Sequence, residues 1–558
     1  MKVKVPISLF IFISFFTPFD AFSKEQIQQG AEKALAIAKR DDRVKDILTD
    51  FPELRTDAQY VEEYGVWIIN FLAGDRKVGM ASVSLEQEKV LEFDFNIDEI
   101  SESGPDDFEE KIEPTSFLKS LRPHFGGAAF CWISILLMFI FLGDFNQLFS
   151  RRNLDILLLY LICPFLLILW QDMKFSYTAV FWVTILFFIR CLYQLWNKSP
   201  EMHDEKTRFR RAAVMVLLFV CIYHGLIVYE RPMDDSGLFS IIGAAYIQKT
   251  GKLPYGSEYG HLGVYGPLLY ILHIPANWLF EPNITFNVSN NELLWGPYEG
   301  FEMRGAQTVV LIFDLLAILA LYCFGKKYAD KNTGILLALV YSLSPYVIGI
   351  GGAGGLQWTS HIVGIAFIIF ALVWVNRPII SGLLLGLCCG MLYYPIVLVF
   401  LWTGYYVHSN GWRTAFRFLT SLGMIGLACL VMILVLTEPG GEYEHLSPLG
   451  AFIQDTIHQQ QFSEWYGNSQ FSFWGQHLHL SKWGKPAAGI VYLLFCILIG
   501  FFPRRIDIKR LIALTTAALV GTQFVLSHGG GTYIGFYIAP FIIVLFGPTD
   551  YKEPLTVS

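Results

Sequence analysis

VYGPLLYILHIPANWLF, residues 264–280, is the stretch on which the fold turns. It is apolar enough to enter a membrane, yet it is short for a crossing, and Pro267 and Pro275 break up any straight helix. Whether it crosses decides the orientation of everything after it. Around it lie thirteen further apolar blocks, near 127–146, 154–171, 177–196, 212–229, 306–324, 333–350, 360–376, 379–393, 395–407, 415–437, 486–502, 510–527 and 532–547. If 264–280 stays on one side, the connections sort by charge. One set holds Arg151 and Arg152, the run from Lys198 to Arg211, Lys326, Lys327 and Lys331, Arg377, Arg413, Arg417, and Arg504, Arg505, Lys509 and Arg510. The other set is much longer and holds only Lys174, Arg231, Lys249, Lys252, Arg304, Lys482 and Lys485. That asymmetry is the positive-inside pattern. It requires 264–280 to be a re-entrant or interfacial helix, since irregular or broken segments are tolerated where protein covers them.

Composition agrees with a polytopic membrane protein: 54% of the residues are hydrophobic and only 16% are charged. The net charge of −7 and the absence of a basic cluster outside the short loops argue against nucleic-acid binding. All nine cysteines lie inside apolar blocks and show no metal-ligand spacing, so they are read as small core residues rather than a disulfide framework.

Residues 1–23 carry two lysines, a short apolar stretch and Ala21-Phe22-Ser23, the pattern of a signal peptide. Residues 24–95 are soluble in character. A polar helix-forming stretch is followed by VWIINFLA, KVGMASVSL and KVLEFDF, with a turn at Gly74-Asp75, so a small extracytoplasmic α+β domain of one helix and antiparallel hairpins is expected. Its element order and final strand resemble PepSY-type or cystatin-like modules; no catalytic constellation can be assembled in it, and it is read as a binding module for a protein partner. Residues 96–123 form an acidic linker, with eight Asp or Glu against one Lys between Asn96 and Glu113. The membrane domain then spans 124–550, with long outer loops at 230–305 and 438–485, and 551–558 form a cytoplasmic tail. The expected fold class is an all-α polytopic bundle carrying the α+β domain, in the cytoplasmic membrane, with the N-terminal domain and the long loops outside.

ERPMDDSG, 230–237, opens the first long loop and sets Asp234 beside Asp235 at a membrane exit. Nucleotide donors are not available outside the membrane, so group transfer there would need a lipid-borne donor. The second loop, with IHQQQFSEWYGNSQFSFWGQHLHLSKW, is rich in His, Gln and Trp, and the two loops are expected to meet over one cleft.

The stretch DDSGLFSIIGAAYIQKTGKLPYGSEYGHLGVYGPLLYIL resembles the first extracytoplasmic loop of GT-C type glycosyltransferases that use polyprenyl-phosphate sugars, the class of the protein O-mannosyltransferases and aminoarabinose transferases. Asp235, Gly243, Gly251, Pro254, Tyr255, Gly266, Pro267, Leu268 and Tyr270 carry the likeness; Leu392 stands where relatives often have lysine. The resemblance implies a GT-C-like bundle moving a sugar from a polyprenyl-phosphate donor to an extracytoplasmic glycan, lipid or protein. Asp235 would be the general base, with Asp234 orienting it or raising its pKa. Arg231, Tyr255, Glu258, His261, Arg304, His458 and Lys482 would bind the substrate. Asp234, Asp235 and Glu258 would be the carboxylates for a divalent cation, were one used.

Two other readings stand beside this one. DDSG is also a good helix cap. A transporter or lipid-linked-sugar flippase would use the same acidic residues, although no internal repeat of the kind transporters show is visible. Asp314, an ionisable residue inside a span, is either functional or a partner for groups within the bundle.

Overall fold

The computed structural model describes residues 33–50, 55–61, 66–73, 76–84, 89–95, 127–145, 147, 149–167, 169, 173–195, 210–230, 233, 235–257, 261–280, 303–349, 355–458, 472–501, 506–526, 529–548 and 551. The proposed signal peptide and acidic linker lie outside them. The chain divides into two compact units.

The first contains α1 (Asp42–Asp50) and four strands, β1 (Arg55–Val61), β2 (Val66–Ala73), β3 (Arg76–Ser84) and β4 (Lys89–Phe95), paired antiparallel in the order β1-β2-β3-β4. The alternation legible in VWIINFLA is what builds its core. Trp67, Ile69 and Phe71 fall on one face, Trp67 opposite Val83 and Ile69 opposite Ala81, and they are buried with Ala34, Ala38 and Val44 from the helical segments.

The second unit is helical. It begins with α2 (Gly127–Leu142), α3 (Arg151–Tyr160), α4 (Cys163–Leu167), α5 (Met173–Tyr193) and α6 (Arg210–Glu230). Then come α7 (Asp235–Thr250), α8 (Pro267–Phe280), α9 (Arg304–Tyr328), α10 (Lys331–Leu343) and α11 (Pro345–Ile348). The remainder is α12 (Thr359–Val373), α13 (Pro378–Met391), α14 (Leu398–Asn410), α15 (Trp412–Leu436), α16 (Pro448–Ile453), α17 (Phe473–Gln476), α18 (Leu478–Phe501), α19 (Ile508–Thr522) and α20 (Ile538–Phe546). Starts and stops follow local chemistry. Asp330 accepts from Thr333 N–H at 2.7 Å to cap α10, Asp507 caps α19 through Arg510 N–H at 2.8 Å, and Gly411, at φ 82°, ends α14 and turns the chain into α15. Pro267, Pro345, Pro378 and Pro448 open their helices, where the missing N–H costs nothing.

Among the described residues five helices are long and apolar enough to cross a membrane: α5, α6, α9, α15 and the Trp483–Phe501 part of α18. This is a multi-pass membrane protein, and the expected all-α class holds for its helical unit. Length does not set burial: α9, of 25 residues, is 56% buried in its apolar window. In the apolar windows of α15 and α18 only 17% of the residues are buried, whereas α12, of 15 residues, is buried everywhere but at Phe367 and Phe370. The segment that decides the topology forms α8, 14 residues with Pro275 inside, or about 21 Å of helix against a hydrocarbon core of about 30 Å. It is not among the five long spans, and it packs on α7, α9 and α13.

With no hydrophobic drive between helices inside lipid, close packing rests on small residues. Gly382 of α13 lies against Ser421 and the Phe418 carbonyl of α15, and Gly404 of α14 against the Gly500 backbone of α18; a Cβ at either glycine would overlap backbone oxygen.

Candidate functional site

The polar end of the bundle beyond α7 and α15 is a clasp of two segments far apart in sequence. Residues 253–266 carry the PYG and GVYG turns, and residues 436–456 follow α15. Their backbones join directly: Leu253 N–H donates to Leu436 O at 2.7 Å, and Gly440 N–H to Gly256 O at 2.9 Å. Gly256 sits at φ +64°, with the Ala451 methyl where a side chain would be, so glycine is required for both backbone and space. Its N–H donates to Asp455 Oδ2 at 2.7 Å. Gly263 closes from the other side, pressed onto the Asp455 carboxylate so that a Cβ would overlap it.

Tyrosines fill the interior. Tyr255 is fully buried; its hydroxyl donates to Tyr265 O at 2.7 Å, and Tyr265 N–H donates to the Tyr270 hydroxyl at 3.0 Å. Phe452 meets Tyr255 edge-on with ring centres 5.0 Å apart, and Tyr393 at 5.8 Å. Gly266 N–H donates to Met391 O at 2.9 Å, tying the clasp to the end of α13. At the rim Lys252 Nζ pairs with Glu438 Oε2 at 3.0 Å, but both side chains are well exposed and the pair contributes little. Inside, burial pushes the Asp455 carboxyl up to about 6, against the pull of its hydrogen bonds with Gly256 and Tyr443.

Arg304, at the start of α9, is held near the end of α6. Its guanidinium donates to Tyr229 O at 3.2 Å and to Gln307 Oε1 at 3.3 Å and lies over the Tyr229 ring, 5.0 Å from its centre. It remains half-exposed, with N–H groups left to donate to an anion.

Deeper in the bundle, His224 of α6 and Asp314 of α9 are completely buried, with Nδ1 and Oδ2 2.7 Å apart. His224 Nε2 lies 2.9 Å from Ser342 O, and a carbonyl only accepts, so Nε2 carries a proton. One further proton must then lie between Nδ1 and Oδ2, and the pair is neutral as a whole whichever partner holds it. Asp314 thus has a structural partner, 90 residues away in sequence.

The sequence-derived residues divide. Tyr255 is in the clasp and Arg304 is near the exit of α6. Asp235 opens α7, His261 lies in the 3-10 turn 261–264, His458 ends the helical turn after α16 and Lys482 lies in α18; these are backbone placements, and their side chains lie outside the described residues. Asp234, Arg231 and Glu258 lie outside them altogether, so of the proposed cation ligands only the Asp235 backbone is placed. Among the described residues no three His, Cys, Asp or Glu are grouped to hold a metal ion. The two long loops meet through 253–266 and 436–456, and the residue at their junction, Asp455, was not singled out by sequence. Its only prior signal was a lone carboxylate in the otherwise uncharged run LSPLGAFIQDTI.

Residues 279–459, about a third of the chain, match the family described as GPI transamidase subunit PIG-U. No curated protein matches the chain. The matched segment runs from the end of α8 through α16 and so includes the second side of the clasp but not the first. This overturns the expectation of a glycosyltransferase. A transamidase exchanges the amine on an acyl carbon and makes no glycosidic bond, and the family is named as a subunit of that assembly. The catalytic roles expected of Asp235 and Asp234 belonged to that glycosyltransferase expectation, and the match to 279–459 does not reach either residue. Asp235 at the first position of α7 is a carboxylate where the helix dipole favours one.

Proposed function

We propose that this chain is a non-catalytic, multi-pass subunit of a membrane complex, and that it holds a lipid-phosphate-linked saccharide at its clasp end for a partner to process. The observation that carries the reading is the match to a transamidase subunit across α9–α16. The ligand is of the class the first loop suggested, a polyprenyl-phosphate sugar or a glycolipid of like headgroup, now bound rather than cleaved. Its phosphate would meet Arg304, the described cation at the mouth of α6, with Arg231 and Lys482 as further cations on the same loops. Its sugar would lie over the clasp, where Glu258, His261 and His458 stand in the adjoining sequence, with Tyr255 buried beneath and holding the turn rather than touching the ligand. The N-terminal α+β domain is the docking module for a protein partner, and the clasp end faces away from the cytoplasm, because the arginine-rich connections lie at the other end.

Two measurements test this. Native mass spectrometry of the chain released from nanodiscs should retain a lipid-phosphate saccharide, and Arg304→Ala should weaken that binding about 10-fold or more, the loss of one charge-assisted hydrogen-bonding group. Gentle solubilisation should co-purify other membrane subunits. A chain that purifies alone and retains no such lipid refutes the reading, and so does one that transfers sugar from a labelled donor unaided. The orientation is checked separately with an impermeant maleimide. His445→Cys should react in intact cells and Asn410→Cys only after permeabilisation; both positions are exposed, at opposite ends of α15. The reverse pattern overturns the topology.

A further inference from the structure

The clasp contains one ionisable group that ligand binding does not account for. Asp455 is 1% exposed. Its carboxyl accepts from Gly256 N–H, at Oδ2, and from the Tyr443 hydroxyl, while Oδ1 has no hydrogen-bond partner among the described residues. The groups facing it are Gly256 and Gly263 from the first segment, Tyr443 from the turn before α16, Tyr270 from α8 and Tyr393 from the turn before α14. None of these is a cation. Lys252, the cation of the clasp, is paired with Glu438 at the exposed rim. His261 and His458 lie on adjoining turns with side chains outside the described residues. A carboxylate buried with two tight glycine contacts and no counter-charge among the described residues is disfavoured when ionised, whereas in a parted clasp water would solvate it.

We propose that Asp455 is a proton-operated latch for the clasp: neutral, it lets the turns at Gly256 and Gly263 close on segment 436–456, and ionised, it drives them apart. The latch depends on the geometry of these two segments and not on the ligand proposed above.

The direction follows from linkage. Burial moves the carboxyl from its ordinary 3.8 up to about 6 in the closed form, so the closed form binds the proton more tightly than the open one. Protonation therefore favours closure, fully so below about 4, and this advantage is lost as the pH rises through about 6. A difference of about two pKa units changes the closed-to-open ratio by about 100-fold across that window. The hydrogen bond from Gly256 survives either way, because a neutral carboxyl still accepts through its carbonyl oxygen.

The test places spin labels at the exposed positions Thr250→Cys and Glu444→Cys in the full chain in nanodiscs, with the partly accessible Cys221, Cys323 and Cys389 replaced. Distance distributions are measured by electron–electron double resonance at pH 8 and pH 5. A longer-distance population at pH 8 that shrinks at pH 5 is expected, and Asp455→Asn, which resembles the neutral acid, should stay closed at both. Widening on acidification overturns the latch, as does an unchanged distribution, or a pH response that persists in Asp455→Asn. Should that variant not fold, the wild-type profile decides alone: a transition centred between about 4 and 6 supports the latch, and one centred elsewhere overturns it.

Discussion

His224→Ala is expected to destabilise the helical unit by about 3–5 kcal/mol, the range for removing one partner of a buried ion pair. Contacts between polar groups in membrane bundles often contribute less, about 0.6 kcal/mol on average, because the groups find other partners when parted. Two features place this pair at the upper end. Both side chains are completely buried, and Asp314 Oδ1 makes no hydrogen bond among the described residues, although the Tyr341 hydroxyl lies near the carboxylate. Removing the imidazole therefore strands a carboxyl and also leaves the Ser342 carbonyl without its donor. The denaturation midpoint of purified protein, titrated from mild detergent into SDS, measures the loss. The double replacement His224→Leu with Asp314→Leu should recover much of it, because neither member of the pair is then left buried without the other. A single-variant loss under about 1 kcal/mol would mean that the pair does not hold α6 to α9.

Gly266→Ala is expected to have the second large effect. A Cβ at Gly266 would overlap the Gly390 carbonyl and crowd the Met391 backbone, neither of which can swing aside as a side chain does. The contact sits on the hydrogen bond from Gly266 N–H to Met391 O, so the methyl both overpacks and breaks the anchor of the clasp to α13. Overpacking costs about 1–3 kcal/mol, and the lost hydrogen bond adds about 1 kcal/mol. Faster amide exchange should appear throughout 253–266, because Tyr265 links this turn to Tyr255 and Tyr270. Gly423→Ala is the control. Nothing lies within 4 Å of its added Cβ, so the substitution in the middle of α15 should be neutral or slightly stabilising. If the two variants behave alike, close approach is not the reason for glycine at 266.

What the sequence disclosed follows from what is local. Hydrophobic blocks and capping residues depend on neighbours in the chain, so the helices were legible, as was the short, proline-interrupted character of 264–280. The alternation in VWIINFLA likewise gave β2 its buried face. The clasp was legible only in outline. Two polar loops at one end of a bundle suggested a meeting, but its position depends on Gly256 and Gly263 closing on a carboxylate that Gly256 precedes by 199 residues, and no periodicity encodes that. Asp314 stood out as a charge in a span, while His224 passed unnoticed, because a single histidine in an apolar run becomes informative only once its partner is in view. The adjacent carboxylates at 234 and 235 owed their expected roles to a resemblance and not to their spacing, because consecutive residues at a helix start need not converge.

Which helices lie exposed on the bundle bears on how the surrounding bilayer is shaped. A short helix exposed to lipid would force the acyl chains beside it to compress, at a fraction of a kcal/mol per ångström of hydrophobic mismatch. Here α15 and α18, with 25 and 24 residues, meet the lipid, while the short and almost fully buried α12 is shielded from it. The annular lipids along α15 and α18 therefore meet full-length apolar helices and need no local thinning. Transfer between host membranes of different thickness should consequently act on the outer helices through tilt, leaving the short interior helix, and the clasp that α13 anchors, largely undisturbed.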